Sequence, residues 1–452
     1  MDKNDNIETR INFKSETFKK YFKNTSWLFA EKILRILIAF VVTIFIVRYL
    51  GPKDFGLLSY VISFYGLFSA ISILGLESIS VRELVKYPER RDSILGSVFL
   101  LRLVGGIVTI ILIALTLFLS GESTDISILI LIVSTSAIFQ SFSVIDYYFR
   151  AEVKAKYSVY VMTTSMLFIS SLKILLIILE APLIYFVIVF SVEFLIAAVG
   201  FLIVYKHNNL KLSHWKFRKE TAMNLLKDSW PLIFSGLVIA IYTKIDQVMI
   251  KNMLDSTELG YYVVAVRLSE AWYFIPLALT SSIFPAIVSA KKISEEFYNN
   301  RMQKLYDILA WMAIAIALPV SIFSFFIIKL LFGNNFLQAA PVLTIYIWAS
   351  VAVFLGVASG QYLIIENFTK LSLGRSIIGM VVNVLLNLIL IPKYGIIGAA
   401  YATLVSYTLA VFSIGIFPKA VNQLKLMLKA IIFFNALKYI SGKLNKWNKH
   451  KD

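Results

Sequence analysis

The residues able to do chemistry here are the charged ones set inside long apolar runs. In SGLVIAIYTKIDQVMIKNMLDSTELGYYVVAVRLSE (235–270), Lys244, Asp246, Arg267 and Glu270 interrupt segments apolar enough to enter a bilayer. Lys32, Arg35, Arg102 and Lys173 are placed the same way, as are Glu31, Asp146 and Glu193, with Glu77 near a helix end. A charge at the centre of a helix in hydrocarbon costs roughly 2.5–3.5 kcal/mol on the insertion scale, so such residues face a wet cavity or a partner. Buried Lys and Arg can hold an anion, Arg with two parallel hydrogen bonds. Buried Asp and Glu can hold a proton or a cation.

Some of these charges have a structural explanation. Glu31–Arg35 and Asp146–Arg150 are spaced i,i+4, and Arg267–Glu270 i,i+3, which puts each pair on one helix face. Lys32 lies close enough to a membrane interface to extend its ammonium into water. Lys244 and Asp246 are two apart and point about 200° away from each other, so they cannot pair with each other while both face one cavity. Arg102, Lys173 and Glu193 have no opposite charge on their own helix within four residues. A cavity role and an inter-helix ion pair are the two explanations open to them. The chain has no cysteine, which excludes disulfides, thiolate nucleophiles and zinc–thiolate sites. Its three histidines, His207, His214 and His450, lie in or near basic polar segments, which leaves no histidine centre within the apolar runs. No cofactor is expected.

The elements that must position these charges are membrane helices. Of 452 residues, 59% are hydrophobic and 16% charged, against about 45–50% and 25% in soluble domains. Hydropathy with Gly, Pro and charge punctuation gives about twelve spans, at 26–49, 55–79, 94–120, 125–149, 158–180, 182–205, 230–253, 260–289, 305–331, 337–365, 371–391 and 396–417. Of the 44 Lys and Arg, 33 fall in the N-terminal segment, alternate loops and the tail, whereas only Arg48, Lys53, Lys251, Lys329 and Lys393 fall in the opposite loops. That bias places both termini in the cytoplasm and accounts for the net charge of +17 without nucleic acid. The polar first residues give no cleavable signal peptide. The expected organisation is an N-terminal segment (1–25), a six-helix bundle (26–205), a cytoplasmic linker (206–229), a second six-helix bundle (230–417) and a basic amphipathic tail (418–452). Within the tail, 424–447 is expected to lie along the cytoplasmic leaflet rather than cross it.

The two halves repeat. Ser26-Trp27 and Ser229-Trp230 open them, and LGPKDFG (50–56) matches LDSTELG (254–260) in leucine, an acid, an apolar residue and glycine at a constant offset of 204. Six helices per half give parallel topology, with an axis along the membrane normal and a central cavity between the bundles. At this point the chain resembles a known family. VRYLGPKDFGLLSYVISFYGLFSAISILGLESISVREL (47–84) is similar to the opening of the polysaccharide flippases of the multidrug/oligosaccharidyl-lipid/polysaccharide exporter superfamily. SWPLIFSGLVIAIYTKIDQVMI (229–250) with ELGYYVVAVRLSEAWYFIP (258–276) resembles their seventh and eighth helices, and IPKYGIIGAAYAT (391–403) their turn into the twelfth.

The resemblance implies translocation of an undecaprenyl-diphosphate-linked oligosaccharide, an O-antigen repeat unit, from the cytoplasmic to the periplasmic leaflet of a bacterial inner membrane. Its implied partners are that lipid-linked glycan, membrane lipids and polysaccharide-assembly proteins. A lipid diphosphate carries about two negative charges, which cations in a water-filled cavity attract. Lys244 and Arg267 are expected to share the outer half of the cavity, Arg102 and Arg35 to supply an inner position, and Lys173 to add to the substrate site. Glu193, Asp246 and Glu270 are the candidates for coupling to a proton or Na⁺. Tyr65, Tyr147, Tyr242, Trp272, Tyr273 and Tyr362 offer faces and polar tips for sugars. A peptidoglycan-precursor flippase and a multidrug exporter of the same superfamily are the alternatives. A membrane glycosyltransferase or polymerase is disfavoured, because the outer loops are very short and hold neither an acidic metal cluster nor a phosphate-binding glycine loop.

Overall fold

The structure, a computed structural model, describes residues 16–432. In hydrocarbon a backbone polar group has no water to bond, so each apolar run satisfies its peptide groups as a helix. Among the described residues every regular element is helical. The first half comprises α1 (Glu16–Ile73), α2 (Leu76–Lys86), α3 (Arg91–Ser120), α4 (Thr124–Ser134), α5 (Ser136–Phe139), α6 (Val144–Ala151), α7 (Ala155–Ile178) and α8 (Leu183–His207). The second comprises α9 (Lys219–Met253), α10 (Ser256–Glu270), α11 (Phe274–Ile293), α12 (Glu295–Ile322), α13 (Ser324–Phe332), α14 (Ala339–Tyr346), α15 (Ala349–Ile365), α16 (Thr369–Phe412) and α17 (Val421–Ile431).

Ten helical segments among the described residues are long and apolar enough to cross a membrane. The two longest each contain two of the expected spans. Gly51 (φ 69°) breaks α1 and Gly395 (φ 58°) breaks α16, both in the left-handed region that L side chains rarely adopt. The expected eighth span is also interrupted, at Ala271–Tyr273 between α10 and α11. Pro276 lacks an N–H and its ring crowds the carbonyl four residues back, at Trp272. Asp255 starts α10 by accepting hydrogen bonds from the Thr257 and Glu258 N–H groups at 2.6 and 2.9 Å.

Three apolar cores hold the helices. One lies mainly in the first half, around Ile94, Phe149 and Phe201, and takes in Leu225 of α9; one lies within the second, around Leu309, Phe354 and Leu355. The third joins the halves, with Val47, Phe55 and Val61 packed in the same cluster as Leu259, Val263 and Leu343. Its centre is the repeated turn. A Cβ at Gly56 would run into the Ser256 carbonyl oxygen, and one at Gly260 into the Pro52 carbonyl oxygen. These are the same contact read from either half, since 56 and 260, like 52 and 256, differ by 204. Such reciprocity is what a two-fold-related interface produces.

The end of the molecule that carries the short loops, here the far end, is tied across the halves by polar contacts as well. Lys251 on α9 reaches Glu122, after α3, at 2.6 and 2.8 Å, and Tyr60 donates to the same carboxylate at 2.8 Å. Arg48 donates to the Leu331 and Leu330 carbonyls at 2.7 and 2.6 Å, capping the C-terminal turn of α13. At the opposite, basic end, Arg82 on α2 pairs with Asp228 on α9. The start of the tail is committed to protein. Gln423, Leu426, Met427 and Ala430 form the buried stripe of α17. Tyr306 on α12 donates to Gln423 at 3.0 Å, and Gln303 to the Leu426 carbonyl at 3.0 Å. The first turns of the stretch expected along the leaflet, 424–447, thus rest their buried stripe on α12, with Leu428 and Ile432 exposed. Residues 433–452 lie outside the described residues.

Candidate functional site

Three cavities run in series past the intramembrane charges. The largest, a chamber of about 520 Å³, is enclosed by helices of the first half alone and includes Glu31, Arg35, Arg102, Asp146 and Arg150 in its wall. A second, the seam cavity of about 250 Å³, lies where α1, α7 and α8 meet α10, and is lined by Arg35, Lys173, Glu193 and Arg267. The third, a groove of about 220 Å³ between α1 and α10, is apolar except for Thr43 and Arg267. Arg35 lines both the chamber and the seam cavity, and Arg267 both the seam cavity and the groove.

The structure brings together four of the five cations expected at a substrate site. Arg35 keeps its i,i+4 partner Glu31 at 3.3 Å. Arg102, deep in α3, donates to the Ser143 hydroxyl and to the Tyr147 hydroxyl at 2.7 Å, with its guanidinium carbon 5.6 Å from the Tyr147 ring. Lys173 and Glu193, on consecutive helices, pair at 3.3 Å, so the inter-helix ion pair and the cavity role hold at once. Asp146–Arg150 is formed as expected at 2.9 Å, and Arg150 also binds Glu77 at 2.8 Å.

Arg267 departs from expectation. It does not turn along its own helix to Glu270 but crosses to α1, donating to Thr43 at 3.3 Å with its guanidinium 5.3 Å from the Phe55 ring. The short Asp255 cap sets α10 tight against α1, so a side chain leaving that face meets α1 first. Lys244 does not share Arg267's cavity as expected. It lies over Gly66, among the charges of Asp246 and Glu270. Glu270 feels Lys244, Asp246 and Arg267 together.

Asp246 heads a buried polar network in the second half. Its carboxylate accepts from the Gln247 N–H at 2.7 Å and the Tyr262 hydroxyl at 2.5 Å. Tyr262 lies 3.3 Å from the Thr403 hydroxyl, Asn383 donates to Ser406 at 3.2 Å, and Asn387 donates to Asn383 at 3.0 Å. The Asn387 side-chain oxygen is buried without a hydrogen-bond partner. Asn383 and Asn387 were absent from the expected site, although two asparagines at i,i+4 in VVNVLLNLIL (381–390) are the signal that marks them. Arg375 was also missed. It lies in the first turns of α16, where a cation is ordinary, yet it binds only neutral groups, Ser359 at 2.8 Å and the Gly356 carbonyl at 3.4 Å. Of the aromatic candidates, Tyr147 alone lines one of these cavities; Tyr65 accepts from Gln140, Tyr242 packs on Tyr407, and Tyr362 donates to Lys419.

Among the described residues the protein is all-helical, with ten segments able to cross a membrane and several intramembrane charges lining cavities. The fold is similar to that of a lipid II flippase, MurJ, in an inward closed conformation, with a TM-score of 0.68 at 20% identity, over 91% of this chain and 92% of that one. Residues 21–291, more than half of the chain, match the family described as polysaccharide biosynthesis protein, and the chain belongs to that family. The capsular polysaccharide biosynthesis protein CapF of Staphylococcus aureus is 23% identical over 88% of this chain and 99% of its own length. A probable flippase of Haloferax volcanii, AglR, is 27% identical over 40% of this chain and 39% of its own length. The protein is thus a multi-pass membrane protein of the polysaccharide biosynthesis family, similar to flippases.

Proposed function

We propose that the chain moves an undecaprenyl-diphosphate-linked oligosaccharide, of the O-antigen repeat-unit kind, from the cytoplasmic to the periplasmic leaflet of a bacterial inner membrane by alternating access, with both termini cytoplasmic. The observation that supports this best is the charge of the seam cavity. Three cations, Arg35, Lys173 and Arg267, face one carboxylate, Glu193, in a space enclosed by helices of both halves. Glu31 holds Arg35 and Glu193 holds Lys173, so Arg267 is the cation without an ion pair among the described residues. That surplus positive charge suits a diphosphate, and an organic-cation exporter would want the reverse sign. The apolar groove between α1 and α10 opens beside Arg267 and gives the lipid chain a path that never leaves an apolar surface. Lys244 and Glu270 adjust the field around Arg267 rather than touch the same cavity. Coupling to a proton or Na⁺ is assigned to Asp246: its buried carboxylate and the unpartnered Asn387 oxygen, bridged by Tyr262, Thr403 and Asn383, offer a cation oxygen ligands.

The test is flipping of a defined undecaprenyl-diphosphate glycan by the purified full-length protein in proteoliposomes. Arg267→Ala and Lys173→Ala should each cut the rate at least about tenfold, the loss of one charge-assisted hydrogen bond, and Arg267→Lys should keep part of it. Normal rates in both alanine variants would show these cations to be helix-pairing groups only.

A further inference from the structure

We infer that the chamber inside the first bundle is a saccharide subsite, which receives the sugar joined to the diphosphate while the seam cavity receives the diphosphate itself. The inference rests on the flippase reading above and specifies where in the molecule each part of the substrate lies.

Charge separates the two cavities. Three arginines in the chamber, Arg35, Arg102 and Arg150, are matched by three carboxylates, Glu31, Glu77 and Asp146. In the seam cavity, apart from the shared Arg35 that Glu31 holds, Lys173 and Arg267 face Glu193 alone, which leaves a positive surplus. A diphosphate offers only acceptors, and in the chamber it would meet three carboxylates that repel it. A sugar hydroxyl both donates and accepts, so a ring of hydroxyls uses arginines and carboxylates alike. The chamber is also walled by aromatic side chains, Phe139, Tyr147, Phe194 and Phe201, whose faces suit the apolar side of a pyranose.

The chamber is built to bind rather than merely packed. Arg102 is only 3% exposed, yet its Nε has no hydrogen-bond partner. Its other contacts go to the neutral hydroxyls of Ser143 and Tyr147, and no carboxylate among the described residues pairs with it. A guanidinium on the chamber wall that is satisfied only in part, and by neutral hydroxyls, retains its charge for an acceptor. About 520 Å³ lies within the range of sites that enclose a small organic ligand, roughly 300–1,000 Å³. The order of the spaces also matches the order of the bonds. Chamber, seam cavity and groove follow one another through Arg35 and Arg267, as sugar, diphosphate and lipid follow one another in the substrate.

The full-length protein in nanodiscs, titrated with farnesyl diphosphate and with farnesyl diphosphate bearing one hexose or one N-acetylhexosamine, tests this. The wild type should bind one of the sugar-bearing probes roughly tenfold or more tighter than the bare one, the scale of one or two hydrogen bonds to charged groups. Arg102→Gln removes the guanidinium from the chamber wall, and Ala197→Phe fills the chamber from α8 without touching a charge. Both should abolish the sugar preference, and Ala197→Phe should leave bare farnesyl diphosphate affinity unchanged, whereas Lys173→Ala should weaken all probes alike. Absence of any sugar preference in the wild type overturns the subsite. So does loss of bare farnesyl diphosphate binding in both chamber variants, which would make the chamber part of the anion site and leave the flippase reading standing. A wild type that binds none of the probes brings down the flippase reading together with the subsite.

Discussion

The tie between Lys251 and Glu122 makes the closed far end a measurable quantity. Each side chain is 14% exposed, and they belong to different halves of the repeat. Lys251→Ala leaves the carboxylate with the Tyr60 hydroxyl and the Ser123 N–H at 3.3 Å as its partners among the described residues. Breaking one side of a fully buried pair costs 3–5 kcal/mol, and an exposed pair contributes about 0–1 kcal/mol. At 14% exposure the loss should be about 2 kcal/mol, between those limits. Because the contact exists only while the halves touch at this end, the whole loss falls on the closed arrangement. A shift of that size is roughly thirtyfold in the closed-to-open ratio.

The absence of cysteine gives an assay with no background. Ile62 lines the seam cavity on α1, ten residues beyond Pro52 and so roughly 15 Å beneath the far surface. In an Ile62→Cys protein, labelling by a membrane-impermeant maleimide added from the far side should accelerate by up to thirtyfold when Lys251→Ala is introduced. Glu122→Gln with Lys251→Met removes both charges and should return labelling most of the way to the parent rate, since deleting a whole pair costs far less than halving it. Equal labelling of the single variant and the parent would show that the tie does not hold the end shut. Labelling of the double variant as fast as the single would refute the electrostatic reasoning.

Three further outcomes follow from the same geometry. Burial works to raise the Glu122 carboxyl, but the Lys251 and Tyr60 hydrogen bonds outweigh it and hold it below the usual carboxylate range. Its contribution is then complete above the ordinary glutamate value of about 4.3 and is lost as pH falls through the depressed one, so Ile62→Cys labelling, divided by the rate of a free thiol at the same pH, should be flat from about pH 8 to 5 and rise only at more acid pH. Gly260→Leu should open the far end or prevent accumulation of the protein, because its Cβ meets the Pro52 carbonyl, whereas Gly66→Ala, 3.6 Å from the Lys244 side chain, should be tolerated. Asp246→Asn should remove the dependence of transport on an imposed proton or Na⁺ gradient while substrate affinity persists; unchanged gradient dependence would move coupling elsewhere.

How far the site could be seen in the sequence depended on the distance over which each determinant acts. Apolar runs and their breakers are local, so the helices were legible as such, and the left-handed glycines at 51 and 395 fall between expected spans. Polar turns that extend helices beyond the apolar runs were not, since α9 starts at Lys219 against an expected 230 and α12 at Glu295 against 305. The match of LGPKDFG to LDSTELG was legible as a repeat, and its meaning became physical only when Gly56 met Ser256 and Gly260 met Pro52. Pairs on one helix, Glu31–Arg35 and Asp146–Arg150, follow from spacing alone. Spacing failed for Arg267–Glu270, because a guanidinium next to a crossing helix chooses among all its neighbours and not only those on its own turn.

Burial of Arg102 inside one bundle, and of Lys173 against Glu193 across two helices, is set by how whole helices rotate about their axes. A nearly uniform apolar helix carries no stripe from which that rotation can be read. The same uniformity explains why the chamber was unforeseen. Two bundles suggest one cavity between them, and only packed side chains show that the first bundle has a hollow of its own. A carrier for a substrate with three chemically different parts gains from this division. An anion site alone would hold any diphosphate, and a sugar site alone would not anchor the lipid. With Arg35 and Arg267 at the joints, recognition at one part bears on the next through shared charge.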